Sequence, residues 1–200
     1  MVSIMAKKMV LYINACVRDE SRTDRLARKL LDKLGDYTEL KLSCENLKPL
    51  DKDTLEYRSE LIAKGEFDND MFKYAHQFAE ADVIVISAPF WDMSFPAILK
   101  TYIENIYITG LVSKYGDDGR PVGLCKASKL YYVTTAGGPY IGKYSYDYIN
   151  DLAKGAFGIK ETELICADML DIVGNDPEKI LSEIAKSIEK NRCIPPADKP

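Results

Sequence analysis

The sequence predicts a three-layer α/β sandwich: a five-stranded parallel sheet with helices on both faces. Three observations lead there. Short apolar runs alternate with amphipathic helical segments five times along the chain, the order that strand–helix–strand units produce. The runs "KKMVLYINA", "DVIVISAP" and "KLYYVTTAGG" are largely unbroken in their apolar character, as strands covered on both sides must be. Nothing in the 200 residues reads as a linker, an internal repeat or a low-complexity stretch, so one domain over residues 1–200 is expected.

The elements follow in order. Residues 7–15 end in small and polar side chains and read as the first buried strand. Residues 21–34 place Leu26, Leu30, Leu31 and Leu34 at helical spacing, with Ser21 as N-cap and Gly35 as the stop. Residues 37–43 alternate and read as the second strand. Residues 44–68 are polar and mixed, with a short helix near 53–65. A helix over 68–81 precedes the strongest strand signal of the chain at 82–89. Residues 95–110 read as a helix with Pro96 in its first turn, where a missing N–H is harmless. A strand over 129–138 ends in a glycine pair, followed by a helix at 146–158, a strand at 160–169 and a last helix at 176–191. Residues 193–200, "CIPPADKP", read as a loose tail.

Composition removes several function classes. A net charge of -4 argues against nucleic-acid binding, which calls for a basic surface. No apolar run approaches the length of a membrane span, and the lysines within "MVSIMAKKMVLYINA" make a poor signal peptide. Cys16, Cys44, Cys125, Cys166 and Cys193 are odd in number and scattered, with no CxxC pair. A disulfide framework or zinc site is therefore not expected, and a reducing cytoplasm is the simpler setting. The single histidine, His76, sits in a charged helical stretch and reads as a surface or packing residue rather than a catalytic one.

In open α/β sheets ligands sit beyond the carboxyl ends of the strands. The order above puts three loops around one such crevice, at residues 14–22, 89–95 and 135–140. The first, "NACVRDESRT", runs into a helix N-terminus, where free N–H groups and the helix dipole favour an anion. Ser21 and Thr23 add hydroxyls, and Arg18 or Arg22 adds charge. Neither GxxxxGK[ST] nor GxGxxG is present, and an ordinary capped helix accounts for this loop taken alone. The second loop carries Phe90, the lone Trp91 and Met93 around Asp92, a concentration of apolar surface suited to a flat ligand. Core packing or a subunit interface accounts for it equally well. The third, "TTAGGPY", offers two glycines that let the backbone approach a ligand, or make a plain tight turn. Taken together, the three loops suit a molecule with a phosphate at one end and a flat ring at the other, as in FMN.

With those residues in view, the sequence resembles the flavodoxin-like NAD(P)H:quinone oxidoreductases, among them the FMN-dependent NADH-azoreductases. The resemblance runs from Lys8 to about Lys190 and is carried by "VIVISAPFWDMSFPAILKTYIENIYITGLVSKY", "YYVTTAGGPY" and "SRTDRLA". It implies a flavodoxin-like sheet of strand order 2-1-3-4-5. It implies that Ser21, Arg22 and Thr23 hold the FMN phosphate, that Pro89, Phe90, Trp91, Asp92 and Met93 line the isoalloxazine, and that Thr135, Ala136, Gly137 and Gly138 meet its other edge. Tyr115 matches a tyrosine bordering the family's substrate pocket, and Tyr140 is placed near the acceptor. The implied activity is two-electron transfer, as a hydride through flavin N5, from NADH or NADPH to a quinone, azo compound or nitroaromatic, with no side-chain nucleophile. The implied assembly is a homodimer. Residues Tyr102, Ile103, Ile106 and Tyr107 are apolar enough to serve a dimer interface, or equally a buried helix. The chain departs from the azoreductases at Asp92, where an asparagine is frequent, and at Ala136, where an arginine is frequent. It also departs at Asn14 and Ala15, where hydroxyls are common. Two other readings stand beside the enzyme: a flavodoxin-type electron carrier, and a flavin-free regulatory protein.

Overall fold

The structure is a computed structural model and describes residues 8–190. The loose tail expected at 193–200, Cys193 and the first residue of the 7–15 strand lie outside the described residues. Five strands form the main sheet: β1 (Val10–Asn14), β2 (Tyr37–Lys41), β3 (Val83–Ser87), β6 (Lys129–Thr135) and β7 (Glu161–Ala167). All neighbours are parallel, in the order β2-β1-β3-β6-β7. Counting only these five strands, that is the 2-1-3-4-5 order the resemblance implies. The short strands β4 (Ser113–Tyr115) and β5 (Pro121–Gly123) form a separate antiparallel hairpin in the connection before β6, which the sequence did not signal.

The strands are continuously apolar because the sheet is covered twice. Along β1, Val10 and Tyr12 face one side while Leu11 and Ile13 face the other. The first side packs against α1 (Arg22–Leu34) and α6 (Pro177–Lys190), through Leu26, Leu30, Leu31, Leu181 and Ile188. The second packs against α3 (Lys73–Glu80), α4 (Ala97–Ile106) and α5 (Tyr146–Leu152), through Phe78, Leu99, Tyr102, Ile103, Ile106 and Ile149. Tyr102, Ile103 and Ile106 are therefore core, and Tyr107 packs against them half-buried, so the apolar face of α4 is used inside the chain. The polar segment after β2 contains α2 (Lys52–Lys64), whose one fully buried residue is Leu61.

Local chemistry sets the ends. Ser21 caps α1 by accepting the Asp24 N–H at 3.3 Å, and Gly35, at φ 95°, closes it. Pro96 stands at the N-cap of α4 rather than inside its first turn, and Leu99 N–H reaches its carbonyl at 2.9 Å. The helix expected over 68–81 opens as a 3-10 turn at Asp70–Phe72, where Asn69 accepts the Met71 N–H. The one expected over 146–158 is α-helical to Leu152 and widens to a π turn over Ala153–Phe157 before Gly158 ends it in a left-handed conformation. His76 Nε2 lies 2.8 Å from the Phe67 carbonyl, a packing role.

Candidate active site

Parallel register brings the ends of β1, β3 and β6 to one edge. Asn14 aligns with Ser87 and Ser87 with Val133, so β6 projects two residues further, to Thr135. Beyond that edge lies a cavity of about 440 Å³, a size suited to a small-molecule ligand. Its wall includes Ser21, Arg22 and Thr23 from the start of α1, Pro89, Phe90 and Trp91 from the loop after β3, and Thr135, Ala136 and Gly137 from the loop after β6. The three loops singled out in the sequence thus meet. Asp92, Met93, Gly138, Tyr115 and Tyr140 are not part of this wall.

At the α1 end, the Ser21 side chain and carbonyl accept the N–H groups of Asp24 and Arg25. The N–H groups of Arg22 and Thr23 belong to the first turn, where the helix leaves donors without intrahelical partners. Thr23 is fully buried, and its hydroxyl meets that of Thr135 at 2.6 Å. Arg22 donates to the Asp171 carboxylate at 2.7 Å.

Beneath the cavity is a polar network. Asn14 donates to Asp24 at 3.1 Å and to Glu39 at 2.9 Å, while its carbonyl accepts the Cys16 N–H at 2.9 Å. Tyr12 donates to Asp24 at 2.5 Å and shares a 2.8 Å bond with Ser87. Arg28 donates to Asp24 and to both oxygens of Glu39. Burial first, and then the bond to Asp24, push the Tyr12 phenol well above its usual range. Burial also raises the Cys16 thiol above its ordinary value. Asn14 thus ties the end of β1 to Cys16, Asp24 and Glu39.

The aromatic loop is a two-residue turn. Trp91 and Ser94 exchange both backbone bonds, at 2.9 and 2.8 Å, with Asp92 at φ 49° and Met93 at φ 65° between them. Positive φ at both central positions is the geometry that asparagine and glycine favour, and methionine accepts it at a cost. The Trp91 N–H is consumed in this turn, whereas those of Asp92 and Met93 are not. Phe90 is fixed from both sides: its N–H donates to the Thr135 carbonyl at 3.0 Å, and its ring meets that of Tyr140 edge-on at 4.9 Å. Tyr140 in turn accepts the Tyr146 N–H and donates its own N–H to Asp168. It buttresses the wall from behind. Tyr115 is largely exposed on the β4–β5 hairpin.

Sequence reasoning missed Leu170 and Asp171, which line the same cavity from the loop after β7. β7 is an edge strand, and its loop would normally lead away. Met169, at φ 60°, turns it back so that three N–H groups reach the carbonyls of residues 136–138.

A family model described as the flavodoxin-like fold matches residues 8–191. The chain belongs to this family. Among flavodoxin-like relatives, an FMN-dependent NADH:quinone oxidoreductase of Coprothermobacter proteolyticus is 34% identical over 198 residues, covering 93% of this chain and 98% of its own. An FMN-dependent NADH:quinone oxidoreductase 2 of Clostridium acetobutylicum is 37% identical over 185 residues, covering 86% and 92%. An FMN-dependent NADH-azoreductase of Bacillus anthracis, solved in complex with FMN, superposes with a TM-score of 0.77 at 22% identity over 91% of this chain and 96% of its own, a likeness of fold. Among the described residues no helix is long and apolar enough to cross a membrane.

Proposed function

We propose that this flavodoxin-like protein is an FMN-dependent NADH:quinone oxidoreductase that also accepts azo compounds and nitroaromatics. The observation that carries the proposal is the convergence of a helix N-terminus, an aromatic wall and a glycine turn on one cavity. The names of the two relatives above support the cofactor, the donor and the acceptor class. They also favour an enzyme over an electron carrier.

The residues present suit FMN. The first turn of α1 offers the N–H groups of Arg22 and Thr23, the Ser21 hydroxyl proton and the Arg22 guanidinium, a donor set for a phosphate. Phe90 and Trp91 offer flat apolar area beside the polar cavity floor. Once bound, FMN supplies hydride transfer between NADH and a two-electron acceptor. The chain's own part is to bind and orient. Phe90, held by Thr135 and Tyr140, keeps the wall rigid. The Asp92 and Met93 N–H groups and the Asp92 carboxylate follow Trp91 directly in the chain and would meet ring heteroatoms, the carboxylate only as an acceptor. Thr135, Ala136 and Gly137 would border the opposite edge, with Gly138 next in the chain.

We further place the protein in the cytoplasm, where its thiols stay reduced, and assign it a homodimeric assembly. Trp91, Met93, Ile141 and Tyr144 are exposed apolar side chains. The Ser94 hydroxyl, donating to the Tyr144 carbonyl at 2.6 Å, joins the two segments that carry them. A second copy covering this rim would bring an acceptor pocket together, with Tyr115 contributed from its exposed hairpin.

The test is the visible spectrum of the purified protein after saturation with FMN, followed by NADH and a benzoquinone. A bound flavin band that bleaches with NADH and returns with quinone is expected. A protein that binds no flavin at saturating FMN refutes the proposal.

A further inference from the structure

Asp171 puts a carboxylate at the anion end of the cavity, and the fold holds it there. After β7 the backbone is fastened to the neighbouring loop by three bonds: Met169 N–H to the Gly138 carbonyl at 3.1 Å, Leu170 N–H to Ala136 at 3.2 Å and Asp171 N–H to Gly137 at 2.9 Å. The Asp171 side chain lies directly over Gly137. A Cβ at position 137 would fall under 3.0 Å from that carboxylate, so glycine there leaves the space the acid occupies. From this position the acid engages Arg22, the first residue of α1. The cavity wall then carries Arg18 and Arg22 against Glu20 and Asp171, two cations and two anions. A phosphate arriving at the helix end meets a cation that already has a partner, and close by a fixed like charge.

We propose that Asp171 competes with the ligand's phosphate for Arg22 and so sets how strongly the site prefers a phosphorylated over a phosphate-free flavin. This inference rests on the FMN reading above. The backbone of Asp171 is pinned, so the acid cannot withdraw as a unit. Arg22 is 38% exposed on a long side chain and is the partner able to turn toward a ligand. Because the pair is solvent-accessible, the competition is modest, on the order of three- to tenfold in affinity, and weaker at high salt. Asp171 acts through Arg22 and through its own charge; it is a specificity-determining residue with no part in electron transfer.

The experiment titrates the full chain, freed of flavin, with FMN and with riboflavin, following flavin fluorescence at low and high ionic strength. Asp171→Asn keeps the shape and removes the charge. It is expected to bind FMN about fivefold tighter at low salt, with the gain shrinking at high salt and riboflavin affinity unchanged. Arg22→Gln is expected to weaken FMN and leave riboflavin as it was. Equal shifts for both flavins in Asp171→Asn would make Asp171 a contact of the shared ribityl or ring and overturn the proposal. No shift, or weaker FMN binding, would make it a loop fastener or an orienting group for Arg22, and would overturn it as well. Unchanged FMN affinity in Arg22→Gln would leave nothing to compete for. Failure of the wild type to bind either flavin would remove the FMN reading itself, a result distinct from all of these.

Discussion

Thr23 and Thr135 hold their hydroxyl oxygens 2.6 Å apart, across 112 residues of sequence and at the meeting of α1 with β6. Both are buried, Thr23 completely. One hydroxyl must donate to the other, and Thr23 is sealed from solvent. Replacing either threonine by valine keeps the volume and leaves the opposite hydroxyl unpaired, at a cost of about 1–3 kcal/mol. The double variant Thr23→Val/Thr135→Val should be more stable than the sum of the two singles by about 1 kcal/mol. Urea unfolding of the four proteins measures the coupling. Additive losses would mean that the bond contributes nothing.

Trp91 and Asp92, adjacent in sequence, should act on different properties of the bound cofactor. Trp91 is 40% exposed, so its loss should cost the free chain little. Trp91→Ala should instead weaken FMN binding roughly thirtyfold, the equivalent of about 2 kcal/mol of apolar contact. Asp92→Asn preserves the turn, because asparagine tolerates the φ of 49° as well as aspartate does. Its effect should appear in the flavin potential, which rises when a carboxylate beside the ring is neutralised. Flavin titration and potentiometry check the two outcomes. Unchanged affinity and potential with a lowered melting temperature would make the loop purely structural.

Met93, at φ 65°, is in a conformation that glycine adopts freely. Met93→Gly should raise the melting temperature of the flavin-free chain by about 2 °C, from about 0.5–1 kcal/mol of relieved strain. The same change removes an exposed apolar side chain two residues from Trp91 of the cavity wall and should lower flavin affinity. A variant that gains on both counts would show that the left-handed methionine serves no binding purpose.

The pH dependence has a clear direction. Burial raises the thiols of Cys125 and Cys166 from an ordinary value of 9.0 to about 12. Above pH 9 the unfolded chain sheds these protons while the folded chain keeps them, so stability falls as pH rises toward 12. Thermal unfolding between pH 8 and 11 should show this decline. Cys125→Ala and Cys166→Ala should each make it shallower, and an unaltered slope in both would assign the decline to other groups.

The sheet was legible in the sequence because a strand buried on both faces has little choice of residue: Val83, Ile84, Val85 and Ile86 admit hardly any other reading. The α1 cap was equally open, since Ser21 and Gly35 each do one recognised job. The β4–β5 hairpin was not, because "SKYGDDGRPVG" is short, polar and half turn. Its place is fixed by Gly123, where a Cβ would strike the backbone of Phe157 and Gly158. Asp171 escaped for another reason. Its approach depends on a left-handed methionine that no sequence rule anticipates, and on a partner loop 34 positions away (from Gly137 to Asp171). The edge-on contact of the Tyr140 ring with Phe90 was not legible either, since the two residues lie on loops 50 positions apart.

The register of β1, β3 and β6 has a consequence for how the protein matures. Asn14, Ser87 and Val133 lie side by side in the sheet although the chain visits them far apart. The cavity therefore has no precursor in any short segment, and an emerging polypeptide cannot hold flavin until the sixth strand has docked. Since only the finished sheet can take the ligand, occupancy stabilises the whole cooperative unit rather than one loop.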